Sequence, residues 1–289
     1  MAEDPPARYP LGVHVLLPIL IACVDPPPPP AGGPVIGVTR IRAFHSMDLE
    51  TWAADEPPLA EHAMSLGLHA VEGGFELTFM DLSGGEVGWL DRTFGSPSIG
   101  VLRRSADGWE RSRRSVRDSA TPAPIDPQGD GEALWIVSRD GVGGDPAAAA
   151  SDNRIRVGPP WRTVLAGPGL TDPMPVTFGA QTLLFLTESH QRIALFAGDP
   201  PERIRSWQGV TVPYARVVED ELWLVAQKPA GGSRLPVPVL ARSKDGRAFS
   251  RFEPILPAGM VRVCTSPVVA PDPARGGWLL VCVEEQAPG

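Results

Sequence analysis

Residues 221–225 read Glu-Leu-Trp-Leu-Val, a short run of large apolar side chains that follows a polar turn. Runs of this length, rich in branched and aromatic residues, are typical of buried β-strands. The same pattern recurs four more times along the chain, each time after a polar or glycine-bearing turn. The matching segments are FELTFM at 75–80, ALWIV at 133–137, TLLFL at 182–186 and WLLVC at 278–282.

An aromatic residue closes each repeated unit. Successive closing residues are 42 to 57 positions apart, and each unit has room for four short strands. Repeats of this length with four strands are typical of β-propeller blades. The sequence therefore predicts an all-β fold, a five-bladed β-propeller. The closing residues are Trp52, Trp109, Trp161, Trp207 and Phe249.

The two ends of the chain are complementary half-blades. After Ser266-Pro267 only two strand-like runs remain, whereas residues 35–45 lead to Trp52 without two preceding inner strands. Pairing of these ends would complete one blade and remove an exposed sheet edge. We therefore predict a propeller over residues 35–286, with its last blade closed by the N-terminal strands.

Composition and charge narrow the functional classes. Glycine and proline supply more than a fifth of the 289 residues, a density that long helices do not tolerate. The net charge of −8 argues against nucleic acid as a partner, since binding phosphates requires a basic face. The chain has no zinc-type Cys/His spacing, phosphate-binding loop or Gly-x-Ser-x-Gly elbow, so we predict no metal and no cofactor. We interpret one arginine cluster as a solvated edge, with an anion site as the alternative: Arg103, Arg104, Arg111, Arg113, Arg114 and Arg117.

The first 34 residues look like an export and tether segment. Residues 11–22 are almost all apolar, too few to span a bilayer but sufficient for a signal sequence. The junction Leu20-Ile21-Ala22-Cys23 resembles the lipobox of bacterial lipoproteins, in which the cysteine is lipidated. We predict a signal peptide over 1–23, lipidation at Cys23, a proline-rich tether over 24–34 and an envelope location, facing the periplasm or the cell surface. The alternative is a disordered apolar leader with a chance cysteine.

The other two cysteines lie in the last two apolar runs. If the segments around Cys264 and Cys282 form a hairpin, the two residues are nearly opposite each other. They are then either a cross-strand disulfide or two buried thiols.

Three turns have a Ser-x-Asp pattern followed by an aromatic residue. They are residues 46–52, 105–109 and 243–249. They are similar to the Ser-x-Asp-Gly-x-x-aromatic turns of sialidase-like and family 43-like glycoside hydrolase propellers. The Ser and Asp side chains are expected to cap backbone N–H groups locally, so these turns indicate architecture rather than catalysis.

The resemblance implies where catalytic carboxylates would lie, since glycosidase propellers place them at the starts of the innermost strands. Hydrolysis needs two: one acid and one base or nucleophile. Asp172-Pro173 matches the third-blade pattern, while the first-blade base is absent unless Glu61 replaces it. Val212-Pro213 stands where the fourth-blade acid is expected. The catalytic candidates are therefore Asp172 and Glu61, and the ligand-binding candidates are His62, Thr121, Tyr214 and Ser266.

Other interpretations of these residues remain open. The alternative for Asp172 is a residue that caps a turn before proline. Glu188 and His190 could border the funnel or form a solvated hairpin. The acidic segment 126–132 has calcium-like spacing but lacks a complete ligand loop, and it is better explained as a hairpin.

Two functions follow from these residues. The first is a lipid-anchored propeller that binds a glycan or protein partner in its central funnel and touches the membrane only through its lipid. The alternative is a divergent glycoside hydrolase that uses Asp172 with a second carboxylate such as Glu61. The missing fourth-blade acid favours binding over catalysis.

Lipidation is testable directly. Radiolabelled fatty acid should enter the wild-type chain and not the Cys23→Ser variant, because only a cysteine at the cleavage junction provides the thioether. Labelling is read by autoradiography of the purified chain, and equal labelling of both proteins would contradict the prediction.

Overall fold

The fold is given by a computed structural model. No helix in its described part is long and apolar enough to cross a membrane, and every regular element there is a β-strand. The predicted signal peptide, Cys23 and the tether lie outside the described residues. The described residues are 39–71, 74–81, 98–105, 107–114, 125–130, 133–139, 153–158, 160–189, 191–229, 236–257, 259–261, 263–272 and 274–285.

The strands form five antiparallel sheets. The chain starts in the last sheet with β1 (Thr39–Ser46), β2 (Ala53–Ala54) and β3 (Ala60–Glu61). The first blade follows with β4 (Ala63–Val71), β5 (Gly74–Asp81), β6 (Ser98–Ser105) and β7 (Gly108–Arg114). The second has β8 (Ile125–Asp130), β9 (Ala133–Arg139), β10 (Asn153–Gly158) and β11 (Arg162–Gly167).

The remaining blades have the same order. The third has β12 (Leu170–Phe178), β13 (Gln181–Glu188), β14 (Arg192–Ala197) and β15 (Glu202–Gln208). The fourth has β16 (Thr211–Val218), β17 (Glu221–Pro229), β18 (Pro236–Ser243) and β19 (Glu253–Pro254). The last blade begins with β20 (Thr265–Pro271) and β21 (Trp278–Glu285).

The first strand of each blade lies on the inside of a ring. In turn, β4, β8, β12, β16 and β20 contact one another, and β20 contacts β4 to complete the circle. The predicted five-bladed β-propeller is confirmed. All inner strands begin at the same end of the ring, which we call the mouth. The opposite end is the base.

The N-terminal strand closes the ring, as predicted. β1 pairs with β21 at eight consecutive positions, from Thr39 opposite Glu285 to Ser46 opposite Trp278. The short strands β2 and β3 pair with the other edge of β1. The last sheet therefore takes strands from both ends of the chain, and neither end leaves a long unpaired edge in the described residues.

The closing aromatic residues pack between blades. Trp207 of the third blade lies 5.2 Å from Phe249 of the fourth, with the rings edge to face. Both rings contact Phe185, which is fully buried. Edge-to-face pairs of this kind add to the apolar burial that joins neighbouring sheets.

The Ser-x-Asp turns lie at the base and act locally. Asp48 Oδ1 accepts hydrogen bonds from the N–H groups of Thr51 and Glu50 at 2.8 and 2.9 Å. Asp245 accepts the corresponding bonds in the fourth blade. These backbone donors stabilise the charged form, so the pKa of each carboxyl lies below its ordinary value. Their contribution to folding is present at neutral pH and is lost as the pH falls through that lowered pKa.

Cys264 and Cys282 form a disulfide across the last blade. Their Cα atoms are 5.5 Å apart, and both side chains are fully buried. The bond joins the residue before β20 to the middle of β21. It therefore fastens the innermost strand to the strand that carries the closure.

A buried ion pair joins the last blade to the first at the base. Arg104 at the end of β6 donates to Asp272 Oδ2 at 3.3 Å, and their side chains are 6% and 1% exposed. His45 Nδ1 lies 3.7 Å from the same oxygen. The other oxygen accepts the N–H of Ala274. Asp272 thus connects three strands where the ring closes.

We expect Asp272→Asn to lower the free energy of unfolding by about 3–5 kcal/mol, because it leaves the Arg104 charge buried without its partner. An asparagine cannot accept from both Arg104 and Ala274. Arg275→Gln on the same hairpin is the control, since it removes only an exposed pair with Asp55 and should cost under about 1 kcal/mol. Denaturant unfolding measures both, and equal losses would contradict the role of Asp272.

Candidate functional site

Each inner strand starts with a bulge at the mouth. In all five blades two residues near the start of the inner strand lie opposite a single residue of the second strand, so the register of the pairing shifts by one residue. The first inserted residue of each bulge therefore occupies the same register position around the axis. We call these five positions the mouth ring: Ser65, Asp126, Asp172, Val212 and Ser266.

Three mouth-ring residues have left-handed backbones. The φ angles of Asp172, Val212 and Ser266 are 52°, 52° and 48°, and each residue precedes a proline. Aspartate tolerates this conformation, whereas a β-branched valine is an outlier there. Such conformations persist when the surrounding structure determines them, and they concentrate at binding and catalytic sites.

Hydrogen bonds from the preceding blade hold two of these bulges. The N–H of Val212 donates to Thr187 Oγ1 at 2.8 Å, and the N–H of Ser266 donates to Gln227 Oε1 at 3.2 Å. Within its own blade, Thr187 lies opposite Thr171, the residue just before the third-blade bulge. Gln227 likewise lies opposite Thr211, just before the fourth-blade bulge. The second strand of one blade therefore positions the mouth ring of the following blade.

Asp172 lies half-buried in the third-blade bulge. Its Oδ2 accepts a hydrogen bond of 2.9 Å from the hydroxyl of Thr171. Just before it, the carbonyl of Leu170 accepts a 2.8 Å bond from the buried amide of Asn153. The position predicted for Asp172, at the start of the third inner strand, is where the structure has it. Its role as a catalytic residue remains a prediction.

The predicted position of Glu61 is wrong. It belongs to β3, which pairs with β1 in the last blade, and its carboxylate lies 3.0 Å from Arg40 Nε. The first inner strand starts only at Ala63 and has its bulge after Met64. The first-blade bulge contains Ser65-Leu66 instead of a residue followed by proline, so no sequence pattern marks its position.

The second-blade position was also assigned too early. Thr121 lies outside the described residues, and β8 starts at Ile125 with its bulge at Asp126-Pro127. This dipeptide repeats Asp172-Pro173 and was the signal that sequence reasoning missed. The acidic segment around it does form a β-hairpin between β8 and β9. Among the described residues, no group of three or more His, Cys, Asp or Glu could hold a metal ion.

The other ligand-binding candidates differ in how exposed their side chains are. Tyr214 is 3% exposed within the main apolar cluster, and burial raises the pKa of its phenol. Its phenol therefore offers little surface to a ligand, and its predicted binding role stays a prediction. Ser266 is 9% exposed in the mouth ring. His62 is exposed beside the first inner strand, with a φ of 54°.

Glu188 is a buried carboxylate at the mouth side of the third blade. It is 4% exposed and pairs with Arg192 at 2.7 Å and with Arg203. Two guanidinium groups therefore fix the side chain, so the expected solvated hairpin does not describe it. His190 lies outside the described residues.

A cleft of about 810 Å³ lies at the other end of the ring. The base turn at Asp48–Glu50 and strand β18 of the fourth blade border it, with Arg242 and Lys244 on its wall. Its lining includes none of the mouth-ring residues.

Comparison with known proteins gives the fold a context. No protein-family model and no curated protein matches the sequence. An exo-β-1,3-galactanase from Phanerochaete chrysosporium, solved with β-1,3-galactotriose, has a TM-score of 0.51 at 12% identity; the match covers 85% of this chain and 66% of the galactanase. An α-L-arabinofuranosidase from Clostridium thermocellum has a TM-score of 0.50 at 11% identity, covering 77% of this chain and 89% of that one. A thermostable family-43 glycoside hydrolase has a TM-score of 0.53 at 11% identity, with coverage of 78% and 89%.

The chain has the five-bladed fold of family 43 glycoside hydrolases. Identities of 11 and 12% show this glycosidase-like propeller architecture and no particular chemistry. The chemistry has to be argued from the mouth ring.

Thr187→Val tests how the mouth ring is held. The substitution keeps the shape of a buried side chain but removes the acceptor of the Val212 N–H, so we expect a loss of about 1–3 kcal/mol in unfolding free energy. Thr187→Ser keeps the hydroxyl and should retain most of that stability. Denaturant unfolding of the three proteins decides, and a valine variant as stable as the wild type would contradict the role of this bond.

Proposed function

We propose that this chain is an exported, lipid-anchored β-propeller that binds a glycan at its mouth and lacks the full catalytic set of a glycosidase. The observation that carries the proposal is Val212. It occupies the register position in the fourth blade that Asp172 occupies in the third. An aliphatic side chain can neither protonate a leaving oxygen nor activate water, so hydrolysis with a fourth-blade acid at this position is excluded.

Glycan as the ligand class is supported by the site and by the similar structures. The mouth ring offers Asp172 and Ser266, polar groups suited to hydrogen-bonding hydroxyls, on backbone held from the neighbouring blades. One of the similar structures contains β-1,3-galactotriose. A protein ligand at the same mouth is the other partner that the sequence allows.

Export and anchoring are supported by the cysteines. The chain has three, and Cys264 and Cys282 are bonded to each other. Structural disulfides persist in oxidising compartments outside the cytosol. Cys23 is then the one cysteine left over, and it stands at the junction that resembles a lipobox. A leftover cysteine in an exported chain needs such an explanation.

Ligand binding is tested with the soluble Cys23→Ser chain on a glycan array, with Asp172→Asn beside it. Removing the charge should weaken binding of the retained oligosaccharide about 10-fold or more, since hydrogen bonds to charged groups contribute about 1.5–3 kcal/mol. The melting temperature should change little, because asparagine tolerates the left-handed backbone. Asp220→Asn, on an exposed base turn, is the matched control and should bind like the parent.

Two results would overturn this assignment. Asp172→Asn that melts lower and binds normally would make Asp172 a turn cap. An array with no retained glycan, combined with capture of a protein by the mouth, would favour the protein ligand.

A divergent hydrolase remains the second candidate, favoured by the Asp126-Pro127 bulge. Asp126 and Asp172 occupy equivalent positions on adjacent inner strands, whereas Glu61 is held by Arg40. A chromogenic glycoside panel distinguishes the two functions. Turnover by the parent that disappears in both Asp126→Asn and Asp172→Asn, and persists in Asp220→Asn, would replace the binding function with hydrolysis.

A further inference from the structure

The chain enters the propeller at the mouth. Thr39, the first described residue, lies opposite Glu285 at the start of the closure between β1 and β21. The carbonyl of Thr39 accepts a 2.8 Å hydrogen bond from the N–H of His62, immediately before the first inner strand. The N-terminal end of β1 therefore lies beside the mouth and not at the base.

The length of the preceding segment limits how the ring can face a membrane. Residues 24–38 reach at most about 50 Å when fully extended. The ring is about 25 Å thick along its axis, from the eight residues of β13 at about 3.3 Å per residue. Turning the base toward the membrane would therefore use about half of that reach to pass along the ring.

The distribution of charge also favours an orientation with the mouth, and not the base, toward the membrane. In the described base turns of the last three blades, exposed carboxylates outnumber cations. The carboxylates are Asp48, Glu50, Asp199, Glu219, Asp220 and Asp245, and the cations are Lys244, Arg247, Arg251 and Arg275. Near the mouth, two carboxylates are paired with arginine: Glu61 with Arg40 and Glu188 with Arg192. An anionic lipid surface repels the base more than the mouth.

We infer that the mouth faces the membrane that carries the lipid anchor, and that its ligand is a glycan attached to that membrane. The inference rests on the proposed function, since it requires both the anchor at Cys23 and binding at the mouth. A glycan carried by the same membrane is held within reach of the mouth and is favoured by its high effective concentration. A large soluble polysaccharide would have to pass between the ring and the lipid surface.

Orientation is measured by energy transfer from single probes to an acceptor lipid. The full lipidated chain is purified from membranes and inserted into vesicles of phosphatidylethanolamine and phosphatidylglycerol. One variant carries a fluorophore at Gln191→Cys, on a mouth turn, and the other at Asp220→Cys, on a base turn; both residues are exposed. Lipidated Cys23 and the buried disulfide do not react with the label. We expect several-fold greater transfer from position 191 than from position 220.

A circular permutant is the matched control. Since Glu285 and Thr39 are paired ends of antiparallel strands, a short hairpin loop can join them. New ends are opened in the base turn between Gly179 and Ala180, and residues 1–38 are placed before Ala180. The anchor then leaves from the base, and the order of transfer at positions 191 and 220 should reverse.

The possible results distinguish the membrane-facing mouth from the lipid anchor on which it depends. Equal transfer at the two positions in the wild type, or greater transfer at 220, overturns the membrane-facing mouth and leaves the anchor intact. Failure of the wild type to float with the vesicles, like Cys23→Ser, contradicts the anchor and with it this inference. Greater transfer at 191 in the wild type and at 220 in the permutant supports it.

Discussion

Pairing between β1 and β21 is the constraint on which the rest of the molecule depends. Each blade could form its own antiparallel sheet, but a circle of inner strands exists only when the last blade is complete. Eight residue pairs, the Cys264–Cys282 disulfide and the Arg104–Asp272 pair all act at this junction. The first two fasten the strands within the last blade, and the third fastens that blade to the first. The inner strands meet at the mouth because this junction holds.

In the closed ring, the backbone conformation determines the geometry of the mouth ring. The left-handed residues Asp172, Val212 and Ser266 keep one geometry although their side chains have nothing in common. The side-chain oxygens of Thr187 and Gln227, in the preceding blades, accept hydrogen bonds from the backbone N–H groups of Val212 and Ser266 and hold these two positions. Since the scaffold specifies the backbone and leaves the side chain free, a carboxylate can be replaced by valine without loss of the fold. The glycosidase-like architecture therefore does not by itself specify which side chains occupy the mouth ring.

The features that recur in every blade could be predicted from the sequence. The starts of the inner strands could not be predicted in the blades that depart from the repeat. Strand-length apolar runs and spaced aromatics such as Trp207 and Phe249 were sufficient for the blade count, because each depends on local packing. The inner-strand starts were found where proline follows the bulge residue, at Asp172 and Ser266. They were missed in the first blade, which has no such proline, and in the second, where an earlier Thr121-Pro122 resembles the same signal. Tyr214 directly follows the fourth-blade bulge, as the sequence suggests. Side chains alternate between the two faces of a strand, and that of Tyr214 lies on the face that packs into the core.

The position of the chain ends gives the fold a consequence for function. Because β1 completes the last blade, the first strand of the described residues begins at the same end of the ring as the inner strands. Any segment attached before Thr39 is therefore attached at the mouth, whatever its sequence. Had the ring been closed by C-terminal strands paired to a complete first blade, the N-terminus would have been the start of an inner strand, inside the mouth itself. Closure through β1 instead puts Thr39 beside β21, two strands out from the inner strand β20, so the first described residue does not fill the site.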